Sequence, residues 1–114
     1  TSDTFTDLTT AGPSLAGVEV YTDRALVTVS ARIQPDENNT AYMGFEVSGT
    51  TSVAPDVLAA VGAGGINDSI TVAASRTVLV EGLSPGRHTF TAKYASVNLA
   101  TAFFSNRVIT VQPY

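Results

Sequence analysis

The side chains that could carry acid–base or metal chemistry are few in this chain of 114 residues. The one histidine is His88 and there is no cysteine, so a zinc site would have only His88 and carboxylates as ligands. The sequence also lacks the Gly-x-Ser-x-Gly, His-Glu-x-x-His and phosphate-loop motifs that mark common catalytic sites. We therefore predict that the protein is not an enzyme, and we predict no metal site and no cofactor.

The histidine itself lies in a stretch where apolar and polar residues alternate. His88 has the same parity as Phe90, Ala92 and Tyr94, and side chains two apart along a strand point to the same side. We therefore expect His88 to face inward as a hydrogen-bonded core residue, rather than to act as a base or a metal ligand.

A short polar stretch offers the best candidates for ligand binding. The oxygens of Asp36, Asn38 and Asn39 lie in a predicted turn, without the ordered alternation of a calcium-binding EF-hand loop. Tyr42 follows soon after and alternates away from its apolar neighbours. These four residues form the predicted glycan-contacting site. The alternative is a solvated loop beside an exposed or interface tyrosine.

The elements that position these side chains are predicted to be strands. Residues 24–33 and 41–47 each carry apolar residues at every second position, which is typical of half-buried strands. Because residues 34–39 have the composition of a turn, we predict that these two strands form a hairpin. Further strands are predicted at residues 4–9, 15–22, 66–73, 76–81, 88–97 and 107–112.

The alternation also predicts the fold and its core. With at most one or two helical turns, at residues 55–61, the sequence indicates a single all-β domain over residues 1–114. We predict an antiparallel β-sandwich, jelly-roll-like, with seven to nine strands, and an immunoglobulin-like sandwich as the alternative. Pro85 before Gly86 predicts a type II turn with a positive φ at Gly86. The predicted core consists of Val27, Val29, Ile33, Met43, Phe45, Val47, Phe90, Tyr94, Ile109 and Val111.

More apolar residues are present than one core can bury. Phe103 and Phe104 are adjacent, so in a strand they point to opposite faces, unless a bulge at Ser105-Asn106 resets the alternation. Val78 and Val80 belong to a strand with apolar residues on both faces. Since only 14% of residues are charged, we expect these four apolar side chains to contribute to a homo-oligomer interface.

The overall charge limits the classes of partner. The formal net charge is −4, and no two of the six basic residues are adjacent. Nucleic acids and anionic membranes are bound by clustered lysine and arginine, so neither partner is expected. No stretch approaches 18 consecutive apolar residues, so membrane insertion is not expected either.

Two segments resemble a known group of proteins. The runs at residues 78–94 and 103–111, which include Gly82-Leu83-Ser84-Pro85-Gly86, resemble the small β-sandwich modules of minor tail, tail-fibre and related structural proteins of phages that infect actinobacteria. Residues 4–13, 25–31 and 41–49 fit the same pattern. The resemblance implies a virion-surface, extracellular module of a longer protein, often trimeric, that contacts neighbouring virion subunits or a host-surface glycan. The alternative function is a carbohydrate-binding or adhesin module of a larger bacterial protein.

Overall fold

The computed structural model describes residues 5–8, 12–35, 40–56, 59–64, 71–96 and 102–114. These residues form seven strands: Ser14–Val20 (β1), Ala25–Pro35 (β2), Thr40–Gly49 (β3), Val61–Gly64 (β4), Val72–Val80 (β5), Gly86–Ser96 (β6) and Ala102–Pro113 (β7).

The strands form two antiparallel sheets that pack face to face. One sheet has the order β1-β6-β3-β4 and the other the order β5-β2-β7. The predicted antiparallel β-sandwich is therefore confirmed. The strand order differs from the immunoglobulin-like alternative, in which the last strand would lie beside the sixth. Here β7 pairs with β2 instead.

The core lies between the sheets and consists of the inward positions of each strand. All of the predicted core residues are buried except Val111, which is partly buried and packs against the others. The alternation of apolar residues was sufficient for this prediction because each strand has one face toward the other sheet. Tyr94 and Phe90 are the largest side chains with almost no exposed surface.

The predicted hairpin of residues 24–33 with 41–47 is wrong. These residues lie in β2 and β3, which belong to different sheets, and β2 pairs with β5 and β7 while β3 pairs with β4 and β6. Alternation shows which face of a strand is apolar, but two such strands can meet either edge to edge or across the core. The turn at residues 36–39 lies outside the described residues.

Several smaller elements also differ from the prediction. The described residues of the predicted strands 66–73 and 76–81 belong to one strand, β5, and the glycine-rich residues 61–64 form β4 beside β3. Of the predicted strand 4–9, the described part forms one bridge, between Thr6 and Tyr94. Within the predicted helical turns, residues 55–61, the Ala59 N–H donates to the Asp56 carbonyl, and residues 57–58 lie outside the described part.

Gly86, the first residue of β6, has a φ of 139°, which is positive as the sequence predicts but far from the value of about 80° that the predicted type II turn requires. A Cβ atom at this position would lie 2.6 Å from Thr50 Oγ1. Glycine is therefore required both by the positive φ and by the close approach of the Thr50 side chain.

Candidate functional site

The most distinctive surface is the outward side of the three-stranded sheet, here called the β5–β2–β7 face. The strand register aligns its residues in successive levels across the three strands. From one end to the other, these levels are Leu79, Leu26 and Gln112; Thr77, Thr28 and Thr110; Ser75, Ser30 and Val108; Ala73, Arg32 and Ser105; and finally Gln34 with Phe103. Arg32 is the one charged residue in these levels.

A β-bulge in β7 determines which apolar residues reach this face. The register with β2 shifts by one residue between the Ser30–Val108 and Arg32–Ser105 pairs, and Asn106 has a φ of 50°. The extra residue resets the alternation, so Phe103 and Val108 both point outward although they are five positions apart. The bulge that the sequence suggested is therefore present.

The bulge also settles which of the two adjacent phenylalanines is exposed. Phe103 is 64% exposed, whereas Phe104 packs against the core with its ring centroid 4.7 Å from that of Tyr94. Val108 is 49% exposed and Leu79 is 43% exposed. The β5–β2–β7 face thus presents three large apolar side chains among serines and threonines.

Besides Phe104, two further predicted interface residues, Val78 and Val80, lie elsewhere. Val80 is buried and Val78 packs against the core, because both have the parity of β5 that faces the other sheet. The exposed residue of this segment is Leu79, which replaces Val78 and Val80 in the candidate interface. The sequence placed apolar residues on both faces of β5 but could not show which face was inward.

One end of the β5–β2–β7 face has an apolar hollow of about 510 Å³ with charges at its margin. Leu79 and Tyr114 line it together with Thr22, Asp23 and Arg24. Arg24 Nε lies 3.2 Å from Asp23 Oδ1, and an Arg24 guanidinium nitrogen lies 4.0 Å from Glu81 Oε2. With two carboxylates and one guanidinium, this end carries a net charge of −1.

The other end carries the opposite charge. Arg32 lines a shallow groove with Ser30, Ser75 and Asn106, and its side chain has no ion pair or hydrogen bond with the described residues. Arg24, Arg87 and Lys93, in contrast, all have carboxylate partners. Among the described residues, the β5–β2–β7 face is therefore positive at the Phe103 end and negative at the Leu79 end.

Beneath this face, a buried polar cluster holds β7 to the rest of the sandwich. Tyr94 Oη donates a hydrogen bond of 2.7 Å to the Gly12 carbonyl, and Arg107 donates to the same carbonyl at 3.2 Å. The Arg107 guanidinium also lies 5.5 Å from the Tyr94 ring centroid, within cation–π range. Burial raises the pKa of Tyr94, and the nearby Arg107 opposes that shift.

The predicted glycan-contacting residues are only partly described. Tyr42 lies on β3 and points to the outer side of the four-stranded sheet, where its ring covers Gly62. A Cβ atom at Gly62 would lie 2.7 Å from this ring, so Tyr42 is half-buried against its own sheet. Asp36, Asn38 and Asn39 lie outside the described residues, so the structure does not place them beside Tyr42.

Part of that outer side is covered by the N-terminal segment. The Phe5 ring lies over Gly44, and Lys93 Nζ donates to Asp7 Oδ1 at 2.8 Å with Glu46 Oε1 at 3.7 Å. The hydrogen bond to Asp7 is the main reason that the pKa of Lys93 is raised. These contacts fasten the N-terminal segment to the four-stranded sheet, which leaves the β5–β2–β7 face as the better candidate for a partner.

His88 faces inward, as predicted. It is 1% exposed, and Nδ1 lies 3.2 Å from the Gly86 carbonyl, which can only accept. The proton is therefore on Nδ1, and Nε2 is a buried acceptor that has no hydrogen-bond partner among the described residues. Among the described residues, His88 has no carboxylate or hydroxyl partner, so it does not form a catalytic pair with any of them.

Over the described ranges, no three His, Cys, Asp or Glu side chains come together around a point where a metal ion could bind. The same ranges contain no helix that is long and apolar enough to cross a membrane.

Comparison with protein-family models, with curated proteins and with solved structures finds no match in any of the three. Fold and surface together define a seven-stranded β-sandwich with one exposed, nearly uncharged sheet face.

Proposed function

We propose that this domain is a non-catalytic virion surface module that contacts its neighbours through the β5–β2–β7 face, in particle assembly or host attachment. The observation that carries this proposal is the exposure of Phe103, Val108 and Leu79 on one nearly uncharged face. Large apolar side chains exposed on one weakly charged sheet face favour a protein–protein contact.

The energetic reason is the free energy of apolar surface in water. Covering such a surface contributes roughly 25 cal/mol per Å² of apolar area, reduced by the cost of association. A chain with only 14% charged residues has few charges with which to solvate an unpartnered face. We infer a homo-oligomer, and the resemblance to phage tail modules adds the expectation of a trimer on the virion surface.

The direct test is the mass of the purified chain in solution. Light scattering at about 10–500 µM should give a multiple of 11.8 kDa that increases with concentration. Combining Phe103→Ala with Leu79→Ala should shift the protein to the monomer mass. Leu15→Ala is the matched control, because Leu15 is 37% exposed but lies on β1 in the other sheet. A wild-type chain that stays monomeric over this range would contradict the proposal.

The second candidate is a carbohydrate-binding or adhesin module of a larger bacterial protein. The observation that favours it is the outward position of Tyr42 on β3, close in sequence to the polar residues 36–39. A glycan array with wild type, Tyr42→Ala and Phe103→Ala separates the two functions. Glycan binding that needs Tyr42 but not Phe103 would favour this candidate, and no glycan binding would leave the assembly proposal as the better account.

A further inference from the structure

The two ends of the β5–β2–β7 face complement one another. One end has the protruding Phe103 ring beside Arg32, which has no ion pair with the described residues, and the other has the apolar hollow of Leu79 and Tyr114 beside Asp23 and Glu81. A projecting aromatic ring fits an apolar hollow, and a guanidinium fits carboxylates.

The protein cannot bring these two ends together within one chain. Phe103 is opposite Gln34 and Leu79 is opposite Leu26, so the two lie eight residues apart along β2. At 3.3–3.4 Å per residue, this separation is about 27 Å along a rigid sheet. The complementary ends must therefore meet in different copies.

We propose that two copies of this chain stack through their β5–β2–β7 faces, with Phe103 of each copy in the Leu79–Tyr114 hollow of the other. This inference rests on the proposed assembly function and specifies its partner and symmetry. Because the ring and the hollow open on the same face, the second copy must be turned over by a half-turn. The assembly is then a closed twofold dimer, in place of the trimer that the resemblance implies.

The charges select one of the two possible half-turns. An axis parallel to the strands would place Arg32 against Arg32 of the second copy, which is unfavourable. An axis that runs across the strands and passes between Thr28 and Ser30 places each end of one face over the opposite end of the other face. Phe103 then lies over the level of Tyr114 of the second copy. Tyr114 belongs to the level of Arg24, because the Tyr114 N–H donates to the Arg24 carbonyl.

In this arrangement Arg32 lies over the apolar Leu26 of the second copy, one level away from the acidic end of that copy's face. The guanidinium then lies near Asp23 and Glu81, which together outweigh the charge of Arg24. Both contacts form twice, once in each direction. Serine and threonine hydroxyls fill the centre of the interface, where Thr28 Oγ1 and Thr77 Oγ1 already lie 2.9 Å apart within one copy.

The size of the face sets the expected affinity. Three strands about 4.8 Å apart, extending about 33 Å from the Phe103 level to the Tyr114 level, give roughly 500 Å² per copy and roughly 1,000 Å² in total. This area is at the lower limit for specific interfaces. We therefore expect a dissociation constant in the micromolar range, about 1–100 µM.

The test is sedimentation equilibrium with apolar and charge variants. Phe103→Ala and Leu79→Asp should each weaken dimerisation by about tenfold or more, because each alters the contact between the Phe103 ring and the Leu79–Tyr114 hollow. Arg32→Glu should weaken it by about tenfold, and adding Glu81→Arg should restore the dissociation constant to within about threefold of wild type. Leu15→Ala and Arg87→Glu, both on the other sheet, are the matched controls and should leave it unchanged.

The outcomes separate this contact from assembly in general. A monomeric wild type would overturn both this contact and the proposed homo-oligomer. A trimer, or a dimer that withstands both Phe103→Ala and Leu79→Asp, would support assembly but overturn this twofold contact. Failure of Glu81→Arg to rescue Arg32→Glu would overturn the charge pairing. Thermal melting of each variant at low concentration identifies any loss of folding.

Discussion

Replacing Gly86 with valine should destabilise the domain through two separate effects. The first is conformational, because a β-branched residue is strained at a φ of 139°. The second is steric, because the new Cβ would lie 2.6 Å from Thr50 Oγ1 and 3.4 Å from Thr50 Cβ. Thr50 cannot move aside freely, since its N–H and its hydroxyl both donate to the Arg87 carbonyl, at 3.2 and 3.1 Å.

The expected magnitude follows from these two effects. Backbone strain of this kind costs about 1–3 kcal/mol, and losing the Thr50 hydroxyl hydrogen bond costs about 1 kcal/mol. The sum, about 2–4 kcal/mol, is a large part of the 5–15 kcal/mol typical of a domain. At about 4 °C per kcal/mol for a chain of this size, the melting temperature should fall by about 8–16 °C.

Thermal melting with two controls separates the effects. Gly82→Val carries only the backbone cost of about 1–2 kcal/mol, because Gly82 has a φ of 76° and open space around it. In a Thr50→Ala background, Gly86→Val should lose its steric cost. If Gly86→Val melts within about 2 °C of wild type, the assigned backbone conformation is wrong. If its cost is unchanged in the Thr50→Ala background, the contact with Thr50 has no energetic role.

Three further predictions concern the core and the pH dependence of stability. Phe90→Ala should cost about 3–5 kcal/mol in a denaturant titration, because Phe90 is fully buried, and a loss below about 1 kcal/mol would contradict its core position. His88→Leu should change stability by less than about 1 kcal/mol, because it removes a buried acceptor that lacks a partner, and a loss above about 2 kcal/mol would reveal an undetected partner such as a water molecule. Stability should decrease above about pH 10, because the pKa values of Tyr94 and Lys93 are raised on folding, so unfolded chains lose these protons first. Tyr94→Phe with Lys93→Met should flatten this alkaline decrease, and an unchanged profile would contradict the assignment.

The sequence was sufficient for the fold class and the core because both follow from the two-residue period. Val27, Val29 and Ile33 in β2, and Met43, Phe45 and Val47 in β3, all face inward as their alternation requires. The same rule placed His88 in the core beside Phe90, with ring centroids 6.4 Å apart. These predictions needed only the alternation of apolar and polar residues within each strand, and no knowledge of which strands pair.

Strand pairing was harder to predict from the sequence because it depends on contacts between residues that are far apart in the chain. The short sequence separation of β2 and β3 favoured a hairpin, yet the chain crosses to the opposite sheet between them. The sequence analysis also predicted two strands, 66–73 and 76–81, with a break between them in what is the single strand β5, which includes Ser75 and Arg76. These two residues continue one regular ladder with β2, in which Arg76 is opposite Val29.

The candidate contact surface was predicted in part. Low charge and adjacent phenylalanines indicated surplus apolar surface, and Phe103 is the exposed member of the pair. Arg32 and the Leu79–Tyr114 hollow were not predicted, because their importance depends on the register of β2 with β5 and β7. The parity of Val78 and Leu79 could be assigned only after β5 was seen to pair with β2.

A photo-crosslinking experiment at position 103 tests the role of the β5–β2–β7 face most directly. Benzoylphenylalanine in place of Phe103, irradiated at about 100 µM and analysed by mass spectrometry, reports which residues surround this side chain in solution. We expect covalent dimers in which position 103 is joined to the segment around Leu79 or to Tyr114 of a second copy. Crosslinks to β1 or β6 of a second copy, or an absence of crosslinked dimers at this concentration, would contradict it.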